Sequence, residues 1–542
     1  MSNQITYPSP FVYGTRQELS NGYQNPTITG SNIPSNVSPQ LQSSSGRTAR
    51  VSKVNLVRWI ISAHYRHVVT PDGAHFLMPI DGGPVLIPET EIVAPLIKKI
   101  VADYSQRDVT ERSILDALDV ILNEPASPQL IGHGRTWLGQ NLERYIELNG
   151  TVMMFPTGQE IMTQPQNLCP YWHPSNSRSF HAPCMQGNIN DLKKIKSYMT
   201  LPKDRELLIY TYLTLCLMPD KQQLALEITG ERNSDVSKLQ QLIKNLVDPV
   251  HKETAIRDIP KTIKEVDEYA WRHHVISLED IEDRLSRVVQ RRLFEYLRKT
   301  PLNWKPVGCH ESTSTLMVSR TCILSSSDPL ITYDALSDVT LSLEMPPNSH
   351  TQQVSPSFSI PKQQIMTERL QTPIFNALLT LLGKAHAQAG KIRIEREIPA
   401  KWRDFCQIGV IVSIALTKSD TLFWFQYDAY RKERLCEITE EEPVAQAIID
   451  YISKNDIKEP TEKPVKAWFA TLAEHQPIWA NESKWPREPR GLGSTLKRIA
   501  PLLEAQRITC YSNGKRGSYR HWVIGPKPTS ILDNLDAIQD LL

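Results

Sequence analysis

The stretch LALEITGERNSDVSKLQQLIKNLVDP, residues 224–249, decides how the rest of the chain is read. The short apolar run Leu224–Thr229 predicts a buried strand ending at Gly230, and the Leu/Ile spacing over Ser237–Leu246 predicts an amphipathic helix. A strand, a polar loop opened by glycine and then a helix is the layout in which backbone N–H groups and a helix N-terminus cradle phosphate. The full pattern is G-x-x-x-x-G-K-[ST]. Here Gly230 is followed by four residues, ending in Ser234, and then by Asp235, Val236 and Ser237. Glycine and hydroxyl hold the right spacing, whereas aspartate replaces the second glycine and valine replaces the lysine. Lys238, about 200° round the helix from residue 236, is expected to point away from the loop. Asp235 is expected to put negative charge where phosphates would sit.

Outward from this element the texture stays mixed. Val275–Leu278 and Thr321–Ser325 predict further short strands, with a basic helix Leu285–Lys299 between them. Upstream, Val54–His67, Ile92–Tyr104 and Ser113–Leu122 have helical spacing. His75–Ile87 reads as short strands about Asp81-Gly82-Gly83, and Arg144–Gly158 as a hairpin about Asn149-Gly150. Strands alternating with helices predict an α/β layer. Residues 1–50 hold nine Ser, five Pro, five Asn and one acid, Glu18, a composition that predicts a disordered arm. A Pro/Ser/Gln-rich break follows Pro346, and the tail after Pro526 reads as frayed.

Several segments, in order over roughly residues 60–525, resemble AAA+-type helicase and primase–helicase proteins of phages, plasmids and integrated mobile elements. RYIELNGTVMMFPTGQEI (144–161) resembles the family's hairpins before the helicase core, and residues 224–249 its phosphate loop and helix. VISLEDIEDRLS (275–286) is similar to its acidic motif, and TCILSSSDPLITYDALSDVTLSLEMPP (321–347) to its sensor strand and the segment before the lid. WRDFCQIG (402–409) and the stretch from Glu442 to Leu503 resemble its C-terminal helices and winged-helix end. Against that pattern the phosphate-contacting lysine is Val236, the metal-organising aspartate is Glu279 followed by Asp280, the sensor asparagine is Ser325, and the arginine reaching a neighbouring subunit is Val339. Phosphoryl transfer depends on electrostatic stabilisation from such groups, and an arginine finger alone supplies about 10³–10⁵ in rate. The resemblance therefore implies a catalytically dead ATPase fold in which Gly230, Ser234, Val236, Ser237, Glu279 and Asp280 line a degenerate nucleotide site. No cofactor is expected; ATP with Mg²⁺ is the alternative if the loop still binds.

The 542 residues carry 61 Lys+Arg against 59 Asp+Glu, a net charge of +2 that excludes a wholly basic nucleic-acid coat. The balance is uneven. From Lys484 to Gly525 nine basic residues face two acids. Within that span Ser494 reads as the N-cap of a helix through about Gln506, and residues 508–524 as two strands about an Asn513-Gly514 turn. A helix followed by a basic-tipped hairpin is how a winged helix ends, with the helix in a DNA groove and the wing on phosphate. Lys515 and Arg516 are the expected tip contacts, flanked by Arg490, Lys497, Arg498 and Arg520.

Cys169, His173, His181 and Cys184 have residue types that suit zinc, although seven intervening residues are short for a zinc-ligand spacing. His273-His274 reads as packing, and Glu440–Glu442 as a solvated run at a helix start. Arg284, Arg287, Arg291, Arg292 and Arg298 read as a channel lining or a solvated helix face. Eight cysteines are too sparse for a disulfide scaffold, and the longest apolar run, Ile408–Leu416, is too short to span a membrane, so a cytoplasmic chain is expected.

The combined expectation is a multidomain α/β protein in which a degenerate P-loop AAA+-like domain (191–350) follows a disordered arm (1–50) and an α+β region (51–190). A linker (351–364), a helical lid (365–440), a winged helix (441–526) and a tail (527–542) complete it. The expected function is a DNA-binding accessory protein of phage or mobile-element replication, able to assemble with itself or with an active relative. The rivals are an active ATP-driven helicase and a winged-helix regulator that recruits a protein.

Overall fold

The computed structural model describes residues 52–527 except 71–72, 81–84, 87–89, 106–107, 129–131, 134, 140–142, 149–150, 156–161, 166–170, 173–186, 232–233, 251–258, 283, 305–313, 348–359, 389–390 and 481–484. The predicted arm, the zinc candidates Cys169, His173, His181 and Cys184, most of the predicted linker and nearly all of the tail lie outside the described residues.

The chain begins with α1 (Lys53–His64), β1 (Tyr65–Val69), β2 (His75–Pro79), α2 (Thr90–Ser105) and α3 (Glu111–Leu122). The three helices pack around Val57, Ile60, Ile97, Val101, Ile114 and Leu118 as a small core of their own. Short strands follow: β3 (Ser127–Pro128), β4 (Gly132–His133), β5 (Thr136–Leu138), β6 (Arg144–Leu148), β7 (Thr151–Phe155), β8 (Met162–Pro165) and β9 (Tyr171–Trp172). Of these, β5–β6–β7–β8 form an antiparallel meander containing the predicted hairpin, with Leu148 opposite Thr151.

The centre of the molecule is built from α4 (Ile195–Tyr198), α5 (Glu206–Cys216), β10 (Ala225–Thr229), α6 (Val236–Val247), α7 (Ile263–Arg272), β11 (Val275–Leu278), α8 (Arg287–Tyr296), β12 (Thr300–Trp304), β13 (Ser314–Val318), β14 (Thr321–Ser326), α9 (Asp334–Ser337) and β15 (Thr340–Glu344). Four strands make a wholly parallel sheet in the order β11–β14–β10–β15. Their near-continuous apolar runs follow from burial on both faces, which parallel strands with helical crossovers require. The fold is therefore mixed α/β with a parallel sheet. From β10 the chain crosses over β14's place to β11, and from β14 it crosses β10 to β15. The carboxyl ends of the strands thus open at a switch point, where ligand crevices form in such sheets.

Helices α10 (Ile360–Gln388), α11 (Arg403–Thr417) and α12 (Thr421–Glu441) come next. The first begins at Ile360, inside the stretch read as linker, because Pro361 is acceptable in a first turn and the run beyond it is rich in helix formers. All three pack on the core of the sheet through Leu378, Leu382, Phe405, Val412, Phe423 and Tyr427. Among the described residues, no helix is long and apolar enough to cross a membrane.

The chain ends with α13 (Pro443–Lys454), β16 (Thr461–Pro464), α14 (Val465–Ala473), α15 (Pro489–Ala505), β17 (Ile508–Arg516) and β18 (Tyr519–Pro526). The strands form an antiparallel sheet in the order β16–β18–β17. A separate core, centred on Trp468, Ile448, Leu496, Ile499 and Trp522, holds these elements together. Two local expectations are corrected here. Ser494 lies inside α15 rather than capping it: the helix starts at Pro489, whose fixed φ suits the first helical position, and runs through Gly491 and Gly493. The hairpin turns at Gly517-Ser518, not Asn513-Gly514, which instead occupy a bulge where Gly514 takes φ +81°.

Candidate nucleotide loop and nucleic-acid interface

Gly230, Ser234, Glu279, Asp280 and Ser325 all gather at the carboxyl edge of the parallel sheet, because β10, β11 and β14 are neighbours that end there. Ser325 is buried, and its Oγ accepts from the Asp280 N–H at 3.1 Å while its carbonyl accepts from Ile281 N–H at 2.9 Å. The sensor position thus braces the segment after β11, and Asp280 is bent into the left-handed region at φ 52°. From α6, Gln240 Nε2 donates to Ser277 Oγ at 2.9 Å and Leu278 O at 3.0 Å, fixing the helix to the acidic strand. Val339 joins none of this: it is buried at the opposite, amino end of β15, where its carbonyl accepts from Ala225 N–H.

Gly230, at the end of β10, is closely packed by its neighbours. A Cβ added at Gly230 would meet Ser234 Oγ at 2.6 Å, Val236 Cγ2 at 3.0 Å and Met345 O at 3.1 Å. Ser234 donates from both Oγ and N–H to the Glu231 carbonyl, at 2.6 and 2.9 Å, and bridges to Pro347 beyond β15. Asp235 does not face the phosphate position. Its buried carboxylate turns sideways, accepting from Thr200 N–H at 3.0 Å and from Lys238 Nζ at 2.7 Å. Lys238 accordingly folds back toward the loop rather than away, since an unpaired buried carboxylate would cost more than bending an exposed, flexible stem. Ser237 is exposed at the helix start. Valine stands where a phosphate-binding lysine would, and Ser234 and Val236 both lie against Gly230.

Behind the loop helix lies a buried ionic cluster. Asp248, just past α6, accepts from Lys244 Nζ at 2.5 Å, from the N–H groups of His274 and Val275 at 2.8 and 3.0 Å, and from Arg135 Nε at 3.4 Å. Arg135 also pairs with Glu147 of β6, so the cluster joins the meander to the sheet. Lys244 and Arg135 hold the Asp248 carboxyl far below its usual range against the opposing effect of burial. Burial, with nearby cations, pushes His273 down to about 3 and His274 down to about 4. Both histidines are packing residues, as their positions before β11 suggest. The basic α8 is largely committed too: Arg291 and Arg292 pair with Glu295 and Asp267, and Arg287 and Arg298 lie over the rings of Tyr333 and Phe294.

The C-terminal unit sorts its cations into two sets. Arg498 is held by both carboxylate oxygens of Glu442, at 3.0 and 3.1 Å, and Arg516 by Glu462 at 3.1 Å. Glu442 is therefore a paired residue at the start of α13, not part of a solvated run. Glu462 also binds Asn513 and His521. Arg490, Lys497, Lys515 and Arg520 are exposed and carry no ion pair among the described residues.

Register places two of these together. Lys515 lies opposite Arg520, and Arg520 shares a strand face with Trp522 and Ile524, which pack against α15. Arg516 lies opposite Tyr519, on the other face. Only Gln506 and Arg507 separate α15 from β17, and Cys510 Sγ meets the Leu496 carbonyl, so the chain doubles back there and the start of α15, with Arg490, points toward the hairpin tip.

Residues 444–531 match the family described as the AICE RepA C-terminal domain. No curated protein matches the chain. Solved structures with some likeness include the A-form apo structure of the NrS-1 C-terminal region, 11% identical over 88% of this chain and 99% of that one, at a TM-score of 0.36. A JCV helicase bound to a thiazolopyridine acetamide is 14% identical over 44% of this chain and 62% of that one, at 0.24. The Aeropyrum pernix ORC1 protein in complex with DNA is 11% identical over 65% of this chain and 96% of that one, at 0.18.

The acids that divide the basic set, Glu442 and Glu462, had no signal in the sequence, since each lies over fifty residues from its arginine. Trp522 and Gly493, which meet beside α15, were also missed. Glycine at two alternate positions of an otherwise good helix, Gly491 and Gly493, was the available hint that something approaches the backbone closely there.

Proposed function

We propose that the chain is a DNA-binding accessory protein of replication, in which a C-terminal winged helix holds DNA and an AAA+-like body acts as a scaffold that does not hydrolyse nucleotide. The observation that carries the reading is the cluster of four unpaired cations, Arg490, Lys497, Lys515 and Arg520, between the start of α15 and the α15-facing side of the hairpin. Two things support it: this lies within the residues matching the RepA C-terminal domain, and helices and strands alternate there as in a winged helix. The scaffold half rests on the loop packed shut by Ser234 and Val236 and on the Asp235–Lys238 pair.

The test is anisotropy titration of a labelled duplex across salt concentration, beside phosphate release with and without single-stranded DNA. Salt-sensitive DNA binding without nucleotide turnover is expected. DNA-stimulated hydrolysis that disappears in Ser237→Ala would instead identify an active motor, and absence of DNA binding at low salt would refute the first half.

A further inference from the structure

We propose that the recess between the first turns of α15 and Trp522 of β18 is a phosphate-binding notch that takes one backbone phosphate of bound DNA. The inference rests on the DNA-binding reading above and names the chemistry of its closest contact.

Trp522 is 3% exposed, and its indole Nε1–H has no acceptor. Its carbonyl is used, accepting from Trp468 Nε1 at 2.9 Å, so the ring is fixed in place. What lies beside the idle N–H is Gly493. A Cβ there would meet Val465 Cγ2 at 3.8 Å and Trp522 Nε1 at 3.9 Å, ordinary contact distances, and nothing nearer. The glycine therefore leaves a gap the size of a methyl group next to an unsatisfied buried donor, and buried donors are seldom left so.

Beyond Val465, the elements that flank the gap carry donors and cations. Arg490 and Lys497 lie one turn either side of Gly493 on the same helix face, and both are exposed. Arg520 is two residues from Trp522 on the same strand face, about 7 Å along, with Lys515 opposite it. Helix α15 starts with Pro489, its N-cap Glu488 makes no side-chain cap bond, and the N–H groups of Arg490 and Gly491 have no intrahelical acceptor. The helix dipole adds positive potential at that end. Glu488 is exposed outside the first turn. A site with an indole N–H, free amides and four cations suits an anion with several acceptor oxygens. A phosphodiester at the surface of DNA has that chemistry, and inorganic phosphate shares it.

The test uses the full chain labelled with 5-fluorotryptophan, with the Trp522 fluorine resonance assigned from Trp522→Phe. Addition of duplex DNA is expected to shift that resonance to saturation. Gly493→Ala fills the gap and is expected to abolish the shift and weaken DNA binding about ten-fold, while melting at the same or a higher temperature because alanine favours helix. Trp522→Phe is expected to weaken binding similarly without changing the salt slope, since a neutral donor releases no counterion. DNA binding by Gly493→Ala equal to wild type, or a Trp522 resonance unmoved by DNA, overturns the proposal even if wild type binds DNA well. A resonance moved by inorganic phosphate in a protein that binds no DNA overturns both the DNA reading and the assignment to a DNA phosphate, and leaves a free-phosphate site instead.

Discussion

Replacing Lys515 and Arg520 together by glutamine separates cations that are free to meet phosphate from those already neutralised. Each phosphate neutralised on B-DNA contributes about −0.9 to the slope of log K against log salt. Loss of two contacts should flatten the slope by about 1.8 and, relative to a 1 M reference, lower affinity at 0.1 M about 60-fold. The control is Arg498→Gln with Glu442→Gln, which removes a bidentate pair without changing net charge. Because an exposed pair of this kind contributes only about 0–1 kcal/mol, stability and DNA affinity should stay close to wild type. The assay is anisotropy of a labelled duplex between 0.05 and 0.3 M salt, ranges chosen as roughly physiological. If the Lys515/Arg520 variant binds within two-fold of wild type with an unchanged slope, the hairpin's α15-facing side is not where DNA phosphate sits. If the control loses as much as the test variant, the sorting by ion pairs is wrong.

Other consequences follow from the buried structure. Asp248→Asn should destabilise by about 3–5 kcal/mol, because it leaves buried Lys244 without its counter-charge and Arg135 with Glu147 alone, and thermal unfolding should shift down by at least several degrees. Acid should do the same through the neighbouring histidines. With folded values near 3 and 4, below the usual 6.5, His273 and His274 bind more protons when unfolded, so their contribution is complete above about pH 6.5 and declines toward pH 4. Urea midpoints at pH 7 and 4.5 measure this, and a higher midpoint at 4.5 would contradict it. Gly409→Ala should cost about 1–3 kcal/mol despite alanine's helix preference, because the new Cβ would lie 2.0 Å from Phe423 Cε2; differential scanning fluorimetry reads it directly.

What could be read in the sequence was what local pattern encodes. The apolar runs ending at Thr229, Leu278 and Leu324 gave strands that do lie side by side, since full burial on both faces leaves a continuous hydrophobic trace. The loop's substitutions could be read as well, but not its closure, which depends on Met345 and Pro347 beyond a strand more than a hundred residues on. Boundaries failed where a residue has two uses. Asn513-Gly514 favours a tight turn but serves equally in a bulge, and Ser494 has the chemistry of an N-cap although Pro489 had already started the helix. Ion pairs between Arg498 and Glu442, or Arg516 and Glu462, arise only when the chain returns on itself.

The helix α12 has one consequence for how the halves of the molecule share load. It is 21 residues, about 31 Å, without interruption. Phe423 and Tyr427 anchor one end in the core of the sheet, while Leu435 packs into the separate core of the C-terminal unit. Along that length, Tyr430 donates to the Thr340 carbonyl and accepts from the Ser342 N–H, so the strut is bolted to β15, whose continuation closes the loop over Gly230. The C-terminal core and the strand beside the loop are thereby joined by one continuous helix.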